Sequence, residues 1–346
     1  MRVDVLTAAT VTQLSARHAG AVVVTGSHGG TIAAAYAAAA RVRAVVFNDA
    51  GRGRDDAGIS GLAALDGLGI AACAVAHTSA RIGDAADALA HGVVSAVNTA
   101  AAAAGVAAGM PCAVAADRLR EVPWREGVLP FPAEARVLLV AAAGGAAPVW
   151  GLDSIGLVAP SDAGAVLVIG SHGALHGGDP ASALPVAAGA AFFHDAGRGK
   201  EDAGASRLPV LSARGMPAAV VDGRTARIGD ARSLWESGEL SVVNDAAARR
   251  GVRIGQAVAA AADALRRCAA GVAAAPLRAT NCPLCGQPND CAPARAGDFA
   301  TTCWCADVAV DPAGLAALPA SVRGGGCLCR RCLTAVREGC TGAAGT

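Results

Sequence analysis

Short apolar runs alternate with segments of helical character along the first part of the chain. Residues 21–25, 43–47 and 70–76 are small or β-branched and end at glycine or polar residues, which is typical of buried strands. Between them, residues 31–40 are alanine-rich, and residues 56–68 carry apolar side chains at helical spacing. Strands that alternate with helices usually pair in parallel, so the pattern predicts an α/β fold.

The same pattern occurs twice, in residues 19–116 and 163–262. The paired motifs are GSHG (26–29 and 170–173), DAGRG (49–53 and 195–199), ARIGDA (80–85 and 226–231) and SAVN or SVVN (95–98 and 241–244). The shared residues are mostly polar or glycine, whereas packing alone would tend to keep the apolar residues. We therefore expect two tandem, pseudo-symmetric βα repeats with a mainly parallel sheet, and a site used in both.

The expected domain organisation follows from the repeats and from local composition. Repeat 1 covers 1–118, a linker with three prolines covers 119–135, and repeat 2 covers 136–267. A second linker is expected at 268–280, a small cysteine-rich module at 281–333 and a flexible tail at 334–346. A chain of 346 residues is long enough to hold two or three domains.

Charge and hydropathy argue against two classes of protein. The net charge is +1 and aromatic residues make up 3%, so neither a basic surface nor stacking aromatics for nucleic acid are expected. Residues 92–116 are uncharged and long enough to span a bilayer. Their counterparts at 238–263 include Glu239, Asp245 and Arg249, which favours helices of a soluble protein in both repeats. No signal peptide is visible, so we expect a cytoplasmic protein.

Three of the shared motifs follow predicted strands, which places them on one rim of the sheet, where ligands bind in α/β proteins. Histidine there can transfer a proton or bind an oxyanion, aspartate can orient it, and arginine can hold an anion. The predicted catalytic residues are His28, His172, His194, Asp49 and Asp195. The predicted substrate-binding residues are Ser27, Ser171, Arg52, Arg81, Arg198, Arg227, Asn98 and Asn244.

Each motif also has a structural interpretation. The histidines would cap the helices that follow them, Asp56 and Asp202 would be helix N-caps, and the arginine and aspartate of each ARIGDA motif would pair with each other. Asn98 and Asn244 would mainly satisfy a buried loop. These alternatives remain open at the level of sequence.

One shared position differs in chemistry, because Asn48 of repeat 1 corresponds to His194 of repeat 2. This difference favours repeat 2 as the active one. The stretch 166–178, VLVIGSHGALHGG, resembles the phosphate-loop segment of universal stress proteins, and over that loop the resemblance implies nucleotide binding. The spacing of the histidines matches no standard metal site.

Eight of the twelve cysteines lie between residues 282 and 332. CxxC and CxC spacings let neighbouring thiolates reach one tetrahedral ion, and a short segment with few large apolar residues needs such support. Eight thiolates suit two structural zinc ions. Disulfides are the alternative, which the absence of a signal peptide disfavours. The predicted ligands are Cys282, Cys285, Cys291, Cys303, Cys305, Cys327, Cys329 and Cys332.

This segment resembles the cysteine-rich CWC family. The resemblance rests on CPLCG at 282–286, CWC at 303–305, LAALP at 315–319 and CLCRRC at 327–332. It implies a small zinc-type module and no particular reaction. A module of this kind would serve in partner docking, in a homodimer contact or as a rigid cap.

Taken together, these features predict a hydrolase or lyase. Its substrate would be a small, anionic, carbonyl-bearing metabolite bound in a cleft built from the two repeats. The alternative is a non-catalytic protein that binds or senses a small anion or nucleotide and docks through the zinc module. Neither nucleic acid nor membrane is an expected partner.

Overall fold

The computed structural model describes residues 3–269, 282, 284, 285, 287–292, 303–305, 308, 318 and 327–337. The chain divides into two compact units, Met1–Ala270 and Gly271–Thr346. Both repeats belong to the first unit, and the eight clustered cysteines belong to the second. The second predicted linker, 268–280, and the predicted flexible tail fall largely outside the described residues, whereas the first predicted linker, 119–135, lies inside them.

Repeat 1 forms a five-stranded sheet whose strands lie in chain order. The strands are β1 (Val5–Ala8), β2 (Val22–His28), β3 (Ala44–Asn48), β4 (Ala71–Val75) and β5 (Val94–Val97). The first four strands pair in parallel, and β5 pairs antiparallel with β4.

Repeat 2 forms a six-stranded sheet of the same topology with one extra strand at its edge. The strands are β6 (Arg136–Val140), β7 (Val149–Leu152), β8 (Val166–His172), β9 (Ala190–His194), β10 (Ala218–Val221) and β11 (Leu240–Val243). Strands β7 to β10 are parallel, while β6 and β11 pair antiparallel at the two edges. The predicted tandem α/β repeats are therefore confirmed.

Short helices cover the sheets. They are α1 (Thr31–Ala39), α2 (Gly61–Asp66), α3 (Ala85–His91), α4 (Thr99–Ala103), α5 (Cys112–Leu119), α6 (Arg207–Ala213), α7 (Ala231–Ser237), α8 (Asp245–Ala248), α9 (Val258–Ala269) and, in the second unit, α10 (Arg330–Arg337). Within the described residues, no helix has both the length and the apolar character needed to cross a membrane.

The central strands are apolar because both faces of each sheet are covered. In β2, Val22 and Val24 pack into one cluster with α5, and Val23 packs into a second cluster with α1. Repeat 2 has the same pair of clusters on the two faces of β8. The alternation of side chains along a strand explains this division.

Two local expectations differ from the structure. The strands β2 and β8 continue through GSH, so both histidines lie at strand ends. Asp56 and Asp202 are not N-caps: they lie inside distorted turns with φ of 53° and 55°. Arg52 and Arg198 bind these two carboxylates four residues along the chain, which accounts for their position.

Gly26 and Gly170 are required by crowding and not by a left-handed backbone. A Cβ atom on Gly26 would lie 2.5 Å from the carbonyl carbon of Gly83 and 2.6 Å from the backbone nitrogen of Asp84. A Cβ atom on Gly170 would be equally close to the second ARIGDA loop. Neither glycine has a positive φ. The ARIGDA loops thus pack directly on the strands that carry GSHG.

We expect Gly26→Ala to destabilise the protein by about 1–3 kcal/mol. The new methyl group would contact backbone atoms, which cannot move aside as a flexible side chain could. Urea unfolding of the first unit measures this change. The control is Gly67→Ala at the end of α2, where the nearest atom is 3.4 Å away. Equal stability of the two variants would contradict the close packing of the ARIGDA loop.

Candidate functional site

The two repeats dock through reciprocal contacts of their DAGRG loops. The backbone nitrogen of Arg54 donates to the carbonyl of Gly223, and that of Lys200 donates to the carbonyl of His77. The two bonds are equivalent, because Lys200 corresponds to Arg54 and Gly223 corresponds to His77 in the alignment of the repeats. A Cβ atom on Gly51 would lie 3.0 Å from the Cα of Gly197. Exchange of equal contacts in both directions indicates a pseudo-twofold relation between the repeats.

Each DAGRG loop is a run of left-handed backbone. Ala50, Gly51, Arg52 and Gly53 all have positive φ, and residues 196–199 repeat the run. Alanine and arginine rarely adopt this conformation, and strained backbone of this kind concentrates at functional sites. The strain is therefore placed where the two repeats meet.

The four arginines predicted to hold an anion all bind carboxylates of the protein. Arg81 pairs with Asp84 and, across the repeats, with Glu201 at 2.9 Å. Arg227 repeats this with Asp230 and Asp55. Arg52 and Arg198 form bidentate pairs within their own loops. The ARIGDA pairing expected as the structural interpretation is present, and it extends into the interface.

Asp49 and Asp195 organise the DAGRG loops from beneath. Asp49 accepts from the backbone nitrogens of Gly51 and His77 and from the Ser95 hydroxyl at 2.7 Å. Asp195 accepts the three equivalent bonds. Burial raises the pKa of Asp49, but bonds from His77 and Ser95 outweigh burial and leave the pKa below its ordinary value.

Four further predicted site residues are engaged with the backbone. Ser27 accepts from the nitrogen of Val11, and Ser171 accepts from that of Ile155. Asn98 and Asn244 cap helices α4 and α8 and also bond to residues of the neighbouring strands. These contacts explain why polar residues are shared between the repeats without any ligand.

Asn48 and His194 make the same two hydrogen bonds. Asn48 accepts from the nitrogen of Ala50 and donates to the carbonyl of Ala80. His194 accepts from the nitrogen of Ala196 through Nδ1, and its Nε2 lies 3.2 Å from the carbonyl of Ala226. With Nε2 protonated, the imidazole substitutes for the amide. The difference between the repeats is therefore accommodated by one hydrogen-bond pattern.

The predicted catalytic histidines do come together. His28, His172 and His194 are close enough to affect one another's pKa, and His176 lies beside His172 with ring centroids 5.8 Å apart. Burial, assisted by His194, lowers the pKa of His28 to about 4. Burial and then Arg207 lower the pKa of His176 to about 4. His28 and His176 are therefore neutral at pH 7.

An open cleft of about 570 Å³ lies between the repeats on the side of repeat 2. Its walls combine glycines of both DAGRG loops with charged and polar side chains. The lining includes Gly51, Gly53 and His77 from repeat 1, and Asp195, Arg198, Asp222, Gly223, Arg224, Ser241 and Ile254 from repeat 2. Of the predicted site residues, Asp195 and Arg198 line it.

His77 is one of the cleft residues that the sequence did not single out, together with Asp222 and Arg224. Its Nδ1 lies 3.0 Å from Asp49, which is buried, while the ring itself is only part-buried. Asp49 thus orients a histidine as expected, although the partner is His77 and not His28. The signal was present in the repeat, because His77 stands where repeat 2 has Gly223.

A group of cysteines in the second unit has the geometry of a metal site. The sulfur atoms of Cys282, Cys285, Cys329 and Cys332 all lie within 4.8 Å of one another. The described cysteines form no disulfide. Among the described residues no other cluster of histidine, cysteine or carboxylate meets this criterion, and the histidines of the first unit do not.

The remaining four predicted ligands also interact. The sulfurs of Cys291 and Cys327 are 3.6 Å apart. Burial, the Cys291 thiol and charges at Cys305 and Cys303 raise the pKa of Cys327 to about 12. The four are therefore neighbours, in a looser arrangement than the first quartet.

We expect His194→Asn to be better tolerated than His194→Leu. Asparagine makes both hydrogen bonds at the equivalent position of repeat 1, whereas leucine leaves a buried N–H and a buried carbonyl unsatisfied, at about 1–3 kcal/mol for each. Urea unfolding of both variants measures the difference. If the leucine variant is as stable as the asparagine variant, the hydrogen bonds of His194 do not stabilise the fold.

Comparison with known proteins identifies one part of the chain. Residues 282–334 match the family described as Cysteine-rich CWC. No curated protein and no solved structure matches the chain. The C-terminal segment is thus a cysteine-rich CWC segment, as its motifs predicted.

Proposed function

We propose that the protein is a hydrolase or lyase that acts on a small, anionic, carbonyl-bearing molecule in the cleft between the repeats. One observation carries this proposal: a histidine held by a buried carboxylate lines an open cleft of about 570 Å³. Pockets of this size hold small metabolites, and a histidine oriented by a carboxylate is a common proton-transfer group.

His77 is the proton-transfer residue of this proposal. Its Nδ1–H donates to Asp49 at 3.0 Å, which leaves the lone pair of Nε2 free to accept a proton. Nε2 faces the glycines of the two DAGRG loops, since a Cβ atom on Gly197 would lie 3.0 Å from it. The ring also lines the cleft, from which a substrate or a water molecule would reach it. His28, His172 and His194 remain predicted contributors to the reaction.

Arg198 and Arg224 supply the positive charge at the cleft. Each is paired with a carboxylate, Arg198 with Asp202 and Arg224 with Asp222, but both guanidinium groups are exposed. Solvent weakens ion pairs of exposed groups, so an anionic ligand can compete for the guanidinium groups. Ser241 is bonded to Asp195, so an attack by water is favoured over a serine nucleophile.

A binding or sensing role is the second candidate, and it is favoured because the hydrogen-bonding groups of the shared polar residues are already occupied within the protein. Most motif side chains bind other protein groups, which suits a rigid receptor for a small anion or nucleotide. Turnover separates the two proposals, because a sensor binds its ligand without consuming it. In either case the cysteine-rich segment would dock a protein partner or a second copy in the cytoplasm.

We expect His77→Gln to lower turnover about 10²–10⁴-fold, because the amide cannot accept the proton. Small esters, amides and hydroxy acids that carry a carboxylate or phosphate are the substrates to screen, with consumption followed by NMR. The control is His91→Gln. His91 is also bound to a buried aspartate, Asp87, but it does not line the cleft.

Arg224→Ala should weaken thermal stabilisation by the same compounds, whereas Arg227→Ala, which removes a paired arginine outside the cleft, should not. Binding without turnover in the wild type would favour the sensor. Turnover that survives His77→Gln would remove His77 from the mechanism.

We also propose that the cysteine-rich unit binds about two zinc ions, one in each quartet of thiolates. The tight quartet of Cys282, Cys285, Cys329 and Cys332 supports the first ion, and the contact between Cys291 and Cys327 supports the second. Zinc would stabilise the fold of this unit, which has few large apolar residues, and would supply no chemistry to the cleft.

Elemental analysis of the full chain should find about two zinc ions, and Cys329→Ala and Cys327→Ala should each remove about one of them. Cys340→Ala, outside the eight clustered cysteines, is the control and should remove none. A loss of metal in the Cys329 variant alone would mean a single site. Oxidised thiols without metal would exclude the zinc proposal.

A further inference from the structure

Arg207 is a buried cation that no carboxylate compensates. Its side chain has no exposed surface, and no carboxylate of a described residue forms an ion pair with it. Nη1 donates to the carbonyls of Ser182 and Ala183, while Nη2 lies 3.4 Å from Nε2 of His176. Its Nε is buried without a partner. Buried charges are normally paired, so this arrangement requires an explanation.

Repeat 1 has no equivalent of this side chain. Gly61 stands at the corresponding position, and a Cβ atom there would lie 2.4 Å from the carbonyl of Gly30 and 2.8 Å from Ala34 of helix α1. Between β8 and β9, repeat 2 has short turns instead of an α-helix, and Arg207 fills space beside them. Repeat 2 has therefore been rebuilt around a buried arginine.

Hydrogen bonds to the turns between β8 and β9 account for only one nitrogen of the guanidinium, Nη1. The two carbonyls are bound by Nη1, whereas the edge formed by Nε and Nη2 has no acceptor other than His176. The same edge binds carboxylates elsewhere in the protein: Arg52 and Arg198 both use Nε and Nη2 for bidentate pairs. A free edge of this geometry is suited to a carboxylate.

The surroundings of this edge are positive or neutral. His176 lies beside it, the ring of His172 lies next to that of His176, and the guanidinium lies over the ring of Phe193 at 5.5 Å. Nε2 of His176 accepts from Nη2, so this imidazole is the group that an anion must displace. An anion would find the two donors Nε and Nη2 beside the apolar ring of Phe193, in surroundings where water competes weakly.

We propose that the Nε–Nη2 edge of Arg207 is a binding site for a small carboxylate. The ligand replaces His176 as the acceptor for Nη2 and gives the buried Nε its missing partner. Neither Arg207 nor His176 lines the cleft between the repeats. The site is therefore separate from the proposed reaction and stands or falls independently of it.

Formate is the probe, titrated into the full chain by calorimetry against sodium chloride at equal ionic strength. We expect saturable binding of formate and not of chloride. Arg207→Lys should weaken it at least about tenfold, because lysine lacks the fork. The control is Arg214→Lys: Arg214 holds the carbonyls of Leu184 and Pro180 in the same loop but has no contact with the histidines.

His176→Ala keeps the proposal testable if the Arg207 variant does not fold. Removal of this part-buried ring frees the edge, so formate affinity should rise at least about threefold. Absence of saturable binding in the wild type overturns the proposal, and so does an affinity that His176→Ala leaves unchanged. If Arg224→Ala abolishes binding instead, formate occupies the cleft and the site at Arg207 is excluded.

Discussion

The fold of the first unit depends on a buried carboxylate that holds a strained loop in each repeat. Asp49 and Asp195 each accept two backbone N–H groups and one serine hydroxyl, so their charge is satisfied without a cationic partner. Those bonds hold the left-handed run of DAGRG, which by itself would be unfavourable. The docking of the repeats and the shape of the cleft both follow from the position of these loops.

The cleft arises because the two repeats are similar but not identical. Where repeat 1 carries His77, repeat 2 carries Gly223, and both residues line the cleft, so one side of it lacks the matching imidazole. A symmetric pair would fill both sides or neither. The ion pairs of Arg81 with Glu201 and of Arg227 with Asp55 are by contrast symmetric, and they link the two repeats. Divergence at one position therefore converts a contact surface into an open site.

A second divergence concerns the segment after GSHG. Repeat 1 uses helix α1, whose alanines pack closely against the sheet, whereas repeat 2 uses turns supported by Arg207. Loss of a helix would leave space beside the sheet, and a guanidinium fills it while keeping one hydrogen-bonding edge unsatisfied. Both sites proposed for the first unit thus lie at positions where the two repeats differ.

Hydrophobic periodicity and internal repetition were enough to predict the α/β class, the two repeats and the cysteine-rich segment, because these depend on local pattern and spacing. The proximity of His172 and His194 also follows from local pattern, since both end parallel strands of one sheet. The roles of the polar motifs were not. Whether Arg81 holds a ligand or Glu201 depends on a residue 120 positions away, and the pairing of Asp49 with His77 depends on the register of β3 and β4. Such contacts are set by docking of the repeats, which no local pattern encodes.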